Sequence, residues 1–313
     1  MKLPFVVNSY LTGIAREYKN PDLSLIADEV LPRVQVGARK FEYTVFPTGD
    51  AFTVPDTSVG RTGTPNQVEF GGTREGSFVE DHGLDDPIPY DDIAEAQANG
   101  GGYDPRAHAA AYTSGIIQLD REVRVANMIF DAASYASGHK TTLASATQWS
   151  HADSDPANAI LEAMDGAIFP YNTLVLGART WMKLRLNKKL VEKVLGTAST
   201  SGLLTRQQVQ DALEIPRILV GASRVNTARK GQTAVLSRTW GNHAALLYID
   251  SSADTNRGIT FGFTAEWGQR VSGEILEDPN IGLRGGVKIR TGESVRELVV
   301  ASDCGYFFQN AVS

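Results

Sequence analysis

The longest regular pattern of apolar and polar positions lies in residues 104–136. Apolar side chains recur there at alternating spacings of four and three residues, the period of one face of an α-helix. Seven positions fit this spacing: Tyr112, Ile116, Leu119, Val123, Ala126, Phe130 and Ala133. Asp104 before Pro105 is a helix N-cap with proline at the first helical position, and Gly138 follows as a terminator. The pattern predicts one helix on the order of 48 Å long.

Several polar residues of this helix fall outside its apolar stripe, namely Arg121, Glu122 and Arg124. Alanines near its start indicate close packing on one side rather than a two-stranded coiled coil, which needs charged flanks beside a sustained heptad pattern. We therefore expect a long helix that lies across a sheet or along the edge of a subunit.

Residues 155–221 alternate between helical and strand-like segments. Asp155 and Pro156 repeat the N-cap and proline pair, and Thr205, with a glutamine three residues later, resembles a capping box. Residues 178–195 form a basic amphipathic pattern that predicts one helix. Two apolar runs predict short buried strands: 173–177 and 216–221. Because strands dominate from there to the C-terminus, the order of elements predicts an α/β or α+β lobe.

Residues 42–102 have a different character. The segment starts within a predicted strand at 41–46, and prolines and glycines then interrupt any helix. Short strand-like stretches remain, but apolar residues are too sparse to form an independent core. A segment of this length without its own core is typical of disorder or of an arm that packs on something else. The alternating stretches favour the arm.

Composition narrows the class of protein. The chain has 313 residues, of which 42% are hydrophobic, and a net charge of −6. These values are typical of a globular protein with two or more lobes. Cys304 is the single cysteine, so no intrachain disulfide is possible, and we expect a small core residue. The sequence has neither a transmembrane-length apolar run nor a signal peptide, which predicts a soluble intracellular protein with no membrane partner.

The charge is unevenly distributed along the chain. Residues 42–102 contain twelve acidic residues and two arginines, a net charge of −10. Residues 179–230 contain eleven basic and three acidic residues, a net charge of +8. Such an asymmetry bears on association between molecules rather than on the fold.

No enzymatic motif is found. The sequence has no phosphate-binding loop, no nucleophile elbow and no zinc-protease helix, and it predicts no cofactor. Asp81, Asp85 and Asp86, near His82, could hold a divalent cation, which leaves a soluble β-rich metal-dependent hydrolase as an alternative of a different class. His151 and Asp153 could form a histidine–carboxylate pair, but no nucleophile accompanies them. The basic residues 183–189 could contact phosphates or an acidic protein surface.

Four stretches carry a resemblance to a known family. Residues 169–177 (FPYNTLVLG), followed by Trp181, are similar to its P-N-x-L-V-L-G…W passage, and residues 213–221 (LEIPRILVG) with 225–228 (VNTA) resemble a strand followed by Y-N-x-A. The stretch 240–248 and the ending 305–312 fit as well. With the order of elements, these stretches resemble the major capsid proteins of tailed bacteriophages, which have the Hong Kong 97-type shell fold shared with encapsulins.

The resemblance implies an α+β fold with four parts. These are an N-terminal arm (1–41), an extended loop over a neighbouring subunit (42–102), a peripheral domain with a spine helix (103–139 and 263–298) and an axial domain (140–262 and 299–313). It implies a non-enzymatic shell subunit, assembled in the host cytoplasm as pentamers and hexamers, that encloses double-stranded phage DNA without sequence specificity. An encapsulin-type compartment shell is the nearer alternative.

Two departures from the family bear on partners. Some members are joined by an isopeptide bond from a lysine of the extended loop, but residues 42–102 contain no lysine. The chain has no long helical N-terminal extension, so we expect a separate scaffolding protein, besides portal and decoration proteins. We also predict that the extended loop of one copy docks on basic residues of another. The residues are Asp81, Asp85, Asp86, Asp91 and Asp92 on one side and Arg185, Lys188 and Lys189 on the other.

Overall fold

A computed structural model of the chain contains two β-sheets joined by one long helix. It describes residues 6–18, 24–46, 49, 52–67, 71–100, 102–196, 202–229 and 231–313. The six-stranded sheet contains β1 (Val6–Val7), β2 (Arg33–Val36), β5 (Glu80–Pro89), β12 (Gly262–Trp267), β13 (Val271–Asp278) and β14 (Gly286–Val299). The five-stranded sheet contains β6 (Lys140–Thr142), β7 (Thr173–Gly177), β8 (Arg217–Gly221), β11 (Ala244–Leu247) and β15 (Gly305–Gln309).

Two further pairs of strands, eight α-helices and three short 3-10 helices are found in the described part of the chain. The antiparallel pairs are β3 (Lys40–Val45) with β4 (Thr73–Phe78), and the hairpin of β9 (Arg224–Asn226) with β10 (Leu236–Arg238). The helices are α1 (Ser9–Glu17), α2 (Ala27–Val30), α3 (Tyr90–Ala98), α4 (Pro105–Ile129), α5 (Pro156–Asp165), α6 (Ala178–Leu184), α7 (Lys188–Leu195) and α8 (Arg206–Leu213).

Strand β14 is the centre of the six-stranded sheet. It pairs antiparallel with β5, β12 and β13, while β2 joins β12 in parallel and β1 pairs with β13. Its side chains alternate between buried and partly exposed, as expected for a strand covered on one face. Val287 and Ile289 on the covered face pack in one cluster with Ala109 and Ala110 of α4. The long helix therefore lies across this sheet.

The predicted N-terminus of the long helix is confirmed, but its predicted C-terminus is wrong. Asp104 accepts a hydrogen bond from the main chain of Arg106 at 3.0 Å. The helix then ends at Ile129, because the following residues fold back onto it. The hydroxyl of Ser134 donates to the carbonyl of Met128, and the hydroxyl of Tyr135 donates to the carbonyl of Ile129, both at 2.7 Å. These bonds satisfy carbonyls that a longer helix would have used.

The face of α4 that is buried differs from the predicted stripe. Tyr112 is 59% exposed and Ile116 is 39% exposed. The buried face is offset from that stripe and consists of Ala109, Ala110, Thr113, Ser114, Ile117, Arg121, Glu122, Val125, Ala126 and Ile129, with Gly115. Helical periodicity marks an apolar face, but it does not say whether that face is covered by the same chain.

The five-stranded sheet separates two apolar clusters. Its strand order is β6-β15-β11-β7-β8. Leu174 and Leu176 of β7 face the cluster formed with α5, α7 and α8, whereas Val175 faces a cluster that includes Val125 and Ile129 of α4. Alternation along a strand buried on both faces explains this division. The helix α4 thus contributes to the packing of both sheets.

The helix caps predicted for the lobe around this sheet are confirmed, and one predicted helix is wrong. The capping box of Thr205 and Gln208 is present, and Asp155 caps α5. Residues 178–195, predicted as one helix, form α6 and α7 instead. Asn187 separates them, because its buried side chain caps α7 through the main chain of Leu190 and donates to the hydroxyl of Ser154 at 3.0 Å.

The predicted extended arm is only partly separate from the sheets. β3 and β4 form a separate two-stranded sheet, but β5 pairs with β14 over ten residue pairs. Ile88 of β5 and Ile93 of α3 are buried against the six-stranded sheet and α4. The expected lack of an independent core therefore holds for residues 80–98, but the elements on which they pack belong to the same chain. The partner strand β14 is distant in sequence and leaves no local signal.

Candidate interaction surfaces

Asp81 and Asp85 of β5 are partnered within their own chain. Both guanidinium nitrogens Nε and Nη2 of Arg290 donate to the carboxylate of Asp85 at 2.6 Å, and these bonds lower the pKa of Asp85. Asp81 accepts from the hydroxyl of Ser294 at 2.5 Å and from Arg39 at 2.7 Å, which likewise lowers its pKa. Part of the charge that looks unmatched in sequence is thus matched by Arg290 of β14 and by Arg39, which precedes β3.

The other three acids differ in their surroundings. Asp91 pairs with Arg284 at 3.1 Å, and both side chains are exposed. Asp86 stands opposite Ile289 of β14, on the face that α4 covers, and Asp92 is exposed on α3. Asp86 and Asp92 are thus the acids in this set for which the described residues show no ion pair.

This arrangement argues against a metal-dependent hydrolase. Asp85 and Asp86 are adjacent in a strand, so their side chains point to opposite faces. Asp81 and Asp85 share a face but are bound to Ser294 and Arg290, respectively. Among the described residues, no group of three histidine, cysteine, aspartate or glutamate side chains could hold a metal ion. His151 lies 3.9 Å from Asp153, and both side chains are exposed.

The basic residues lie on the helical face of the other sheet. Arg185 follows α6, donates to the carbonyl of Leu204 at 3.1 Å and lies 5.6 Å from the ring of Trp181. Lys188 is 3.8 Å from Glu192, and Lys189 donates to the carbonyl of Asp153 at 2.5 Å. Within the described part of one chain, none of the three forms an ion pair with the acids of β5 and α3.

Sequence reasoning missed a network of buried charges between α4 and the six-stranded sheet. Arg121 is 2% exposed, and its guanidinium donates to the hydroxyl of Thr264 at 2.9 Å and to the carbonyl of Leu31 at 3.2 Å. Glu293 accepts from Arg33 at 3.0 Å and from Arg270 at 2.7 Å. Desolvation would raise the pKa of Glu293, but the two guanidinium groups outweigh it and lower that pKa.

Glu122 is fully buried and connects three parts of the chain. Its carboxylate accepts from the main chain of Ile26 and Ala27, at the start of α2, and from the indole of Trp240 at 2.6 Å. Burial raises its pKa against the opposing effect of these bonds. The N-terminal segment, the long helix and the loop before β11 therefore meet at one side chain.

A polar cavity of about 560 Å³ opens beside this network. Asp28, Arg33, Arg121, Glu266 and Arg270 are among its lining residues. Each of these five charged side chains takes part in an ion pair with another buried or lining group. The ion pairs therefore hold the N-terminal segment against the sheet. Because the charged groups that line the cavity are already paired, we interpret them as structural.

In the described part of the chain, no helix combines the length and the apolar character needed to cross a membrane.

Comparison with known proteins gives close relatives by sequence. The chain is 48% identical over 310 residues to the major capsid protein of Pseudomonas phage JBD67, covering 99% of this chain and 98% of that protein. It is 25% identical over 319 residues to the major capsid protein of Burkholderia phage BcepMu, covering 96% and 95% of the two chains. No protein-family model matches the chain.

Solved structures show the same fold at lower identity. A phage-related protein from Bordetella bronchiseptica RB50 matches with a TM-score of 0.77 at 20% identity over 99% of both chains. The putative capsid protein of an Escherichia coli CFT073 prophage has a TM-score of 0.59 at 11% identity over 98% of this chain and 99% of the other. The cyanophage P-SCSP1u capsid structure matches with a TM-score of 0.55 at 13% identity, over 92% of this chain and 88% of the other. The chain therefore belongs to the bacteriophage major capsid proteins and has their Hong Kong 97-like fold.

Proposed function

We propose that copies of this chain assemble as pentamers and hexamers into a closed icosahedral shell that encloses double-stranded phage DNA. The observation that carries this proposal is the 48% identity to a major capsid protein over 99% of the chain. The chain acts through geometry rather than catalysis, in that one fold repeats in slightly different surroundings. Assembly takes place in the host cytoplasm, with scaffolding, portal and decoration proteins as separate partners.

The two sheets support a division into domains. We assign the peripheral domain to residues 103–139 and 263–298, where α4 packs on β14. Strands β1 and β2 of the arm and β5 of the extended loop join the same six-stranded sheet. The five-stranded sheet with α5 to α8 corresponds to the axial domain, 140–262 and 299–313. Residues 1–41 are the N-terminal arm and 42–102 the extended loop. Support for the loop as a contact between copies comes from the connection between β3 and β4, where Val54 is 86% exposed.

Opposite charges on two surfaces of the chain support a contact between copies. Among the acidic residues of β5 and α3, Asp86 and Asp92 form no ion pair with the described residues, so they are available for a contact with another copy. Among the basic residues, Lys188 and Lys189 are the corresponding candidates. Lys188 makes only a 3.8 Å contact with Glu192 at the surface. We infer that these lysines contact the acidic surface of a neighbouring copy. One exposed pair contributes about 0–1 kcal/mol, but a shell repeats it in every subunit.

Charge reversal tests this contact. Lys188→Glu with Lys189→Glu should lower the yield of shells at low salt, because it places like charges opposite each other. The deficit should shrink at high salt, where exposed charges are screened. Arg206→Glu with Arg257→Glu is the matched control, since both arginines are exposed and the net charge changes equally. Equal shell yields for both variants, measured by sedimentation, would show that the lysines are not at the contact.

The contents of the shell test the proposed role in DNA packaging. Particles isolated from infected cells should contain double-stranded DNA that resists external nuclease until the shell is opened. A shell that holds an enzyme and no nucleic acid would instead identify an encapsulin-type compartment and contradict the proposal.

A further inference from the structure

The outer edge of β5 is a free edge of the six-stranded sheet. Val295 of β14 pairs with Glu80 of β5 and also with Glu266 of β12, so β5 and β12 lie on opposite edges of β14. No other described strand pairs with β5. A ten-residue strand at a sheet edge is a ready template for a strand of another chain.

The prolines of β5 show which main-chain groups point outward. Pro87 and Pro89 stand opposite Lys288 and Gly286 and have no N–H to donate to β14, so odd-numbered positions direct their main chain away from it. The main chain of Tyr90, at an even position, donates to the carbonyl of Gly285 at 3.1 Å, which agrees. The N–H and C=O groups of residues 81, 83 and 85 therefore point outward, and the described residues provide no partner strand for them.

An uncovered apolar stripe lies beside this edge. The stripe consists of Tyr112 and Ile116 of α4, the residues that the sequence pattern predicts to be covered. His82 of β5 is 3.9 Å from Asp120, which lies one helical turn after Ile116, so this flank of α4 faces β5. Leu84 lies on the same face of β5 and is exposed. A strand added to the edge would place every second side chain beneath this stripe.

The chain also contains a strand suited to that position. The hairpin of β9 and β10 is an isolated two-stranded sheet, a form that is marginally stable without a further strand. Val235 and Leu236 are 56% and 60% exposed. Thr227 donates to the carbonyl of Val235, and Thr239 to that of Ser223, so odd positions of β10 bind β9. The main chain of Leu236 and Arg238 then points away from the hairpin.

We propose that β10 of one copy pairs antiparallel with β5 of a second copy, with Leu236 opposite Gly83. This contact rests on the proposed assembly of copies into a shell. The register places Arg238 opposite Asp81 and sets Val235 beside Leu84, beneath Ile116. Charge supports this partner, because the hairpin also carries exposed Arg224, whereas pairing of β5 with itself would place Asp81 opposite Asp85.

A disulfide between copies tests the register. Val235→Cys with Leu84→Cys should give covalent oligomers in assembled shells under mild oxidation, since these side chains would be directly opposed. Val235→Cys with Leu283→Cys is the control for random collision. Leu283 is 98% exposed and lies in the connection between β13 and β14, in the same six-stranded sheet as Leu84. The native Cys304 is buried and does not compete. Shells that form without the first cross-link, or with equal amounts of both, would overturn the contact but leave shell assembly standing.

A proline substitution tests the free edge by a second route. Gly83→Pro removes one outward N–H but leaves the bonds to β14, as Pro87 and Pro89 already do. Gly83→Ala is the matched control, since it adds the same Cβ and keeps the N–H. We expect Gly83→Pro to lose most shell assembly and the cross-link of the cysteine pair, and Gly83→Ala to keep both. Equal assembly of the two variants would overturn the contact, and absence of shells from the unmodified chain would overturn the proposed function with it.

Discussion

Buried charges at individual residues hold the N-terminal segment, the long helix and the six-stranded sheet together. Glu293 is enclosed by two arginines, and Glu122 caps α2 while it binds the indole of Trp240. The attraction within a buried ion pair is largely offset by the desolvation of both charges, but loss of one partner leaves the other charge buried and uncompensated. These residues therefore determine stability more than their polar character suggests.

Glu293→Gln tests this role and its pH dependence. At neutral pH the variant should lower the free energy of unfolding by about 3–5 kcal/mol, because Arg33 and Arg270 lose a buried anionic partner. Since the folded protein lowers the pKa of Glu293 below its usual 4.5, its contribution is full above that pH and is lost as the pH falls below it. Thermal unfolding of the variant and of the unmodified protein should be measured between pH 7 and 3. The difference between their free energies of unfolding should become smaller as the pH falls.

The exposed Glu95→Gln is the control, and it should change the free energy of unfolding by less than about 0.5 kcal/mol. A constant difference in stability between Glu293→Gln and the unmodified protein down to pH 3 would contradict the role of the ionised carboxylate.

At the scale of elements, the sequence predicts features that depend on neighbouring residues. It does not predict features that depend on contacts between residues distant in sequence. Helix starts with a capping side chain, such as Asp104 and Thr205, were predicted because the cap and the helix are adjacent in sequence. The end of α4 was not, since Ser134 and Tyr135 fold back on it without a periodic signal. Likewise, burial of Arg121 depends on residues of β12 and α2 that only the folded chain brings together.

Gly177, at the junction of β7 and α6, provides a test of packing between elements. A Cβ there would lie 2.2 Å from the carbonyl oxygen of Gly241 and 2.8 Å from that of Trp240, both in the main chain. Gly177→Ala should therefore destabilise the protein by about 1–3 kcal/mol in chemical denaturation. Gly166→Ala is the control, because its Cβ would meet only the carbonyl oxygen of Glu162, at 3.7 Å. Equal stability of the two variants would contradict the close approach of these elements.

Across the whole molecule, charge that is separated in sequence is partly paired in space. The net charge of −10 in residues 42–102 is offset by arginines of β14, where Arg290 binds Asp85 and Arg296 binds Glu80. What remains for association is a smaller acidic surface, an exposed apolar stripe on α4 and a free strand edge. Such features have no role in a single chain but suit a protein that is covered by copies of itself.

Electron microscopy of the purified chain tests this conclusion most directly. The account predicts closed shells, or rings of five and six subunits, that form as the protein concentration rises. A strictly monomeric species at every concentration would contradict it.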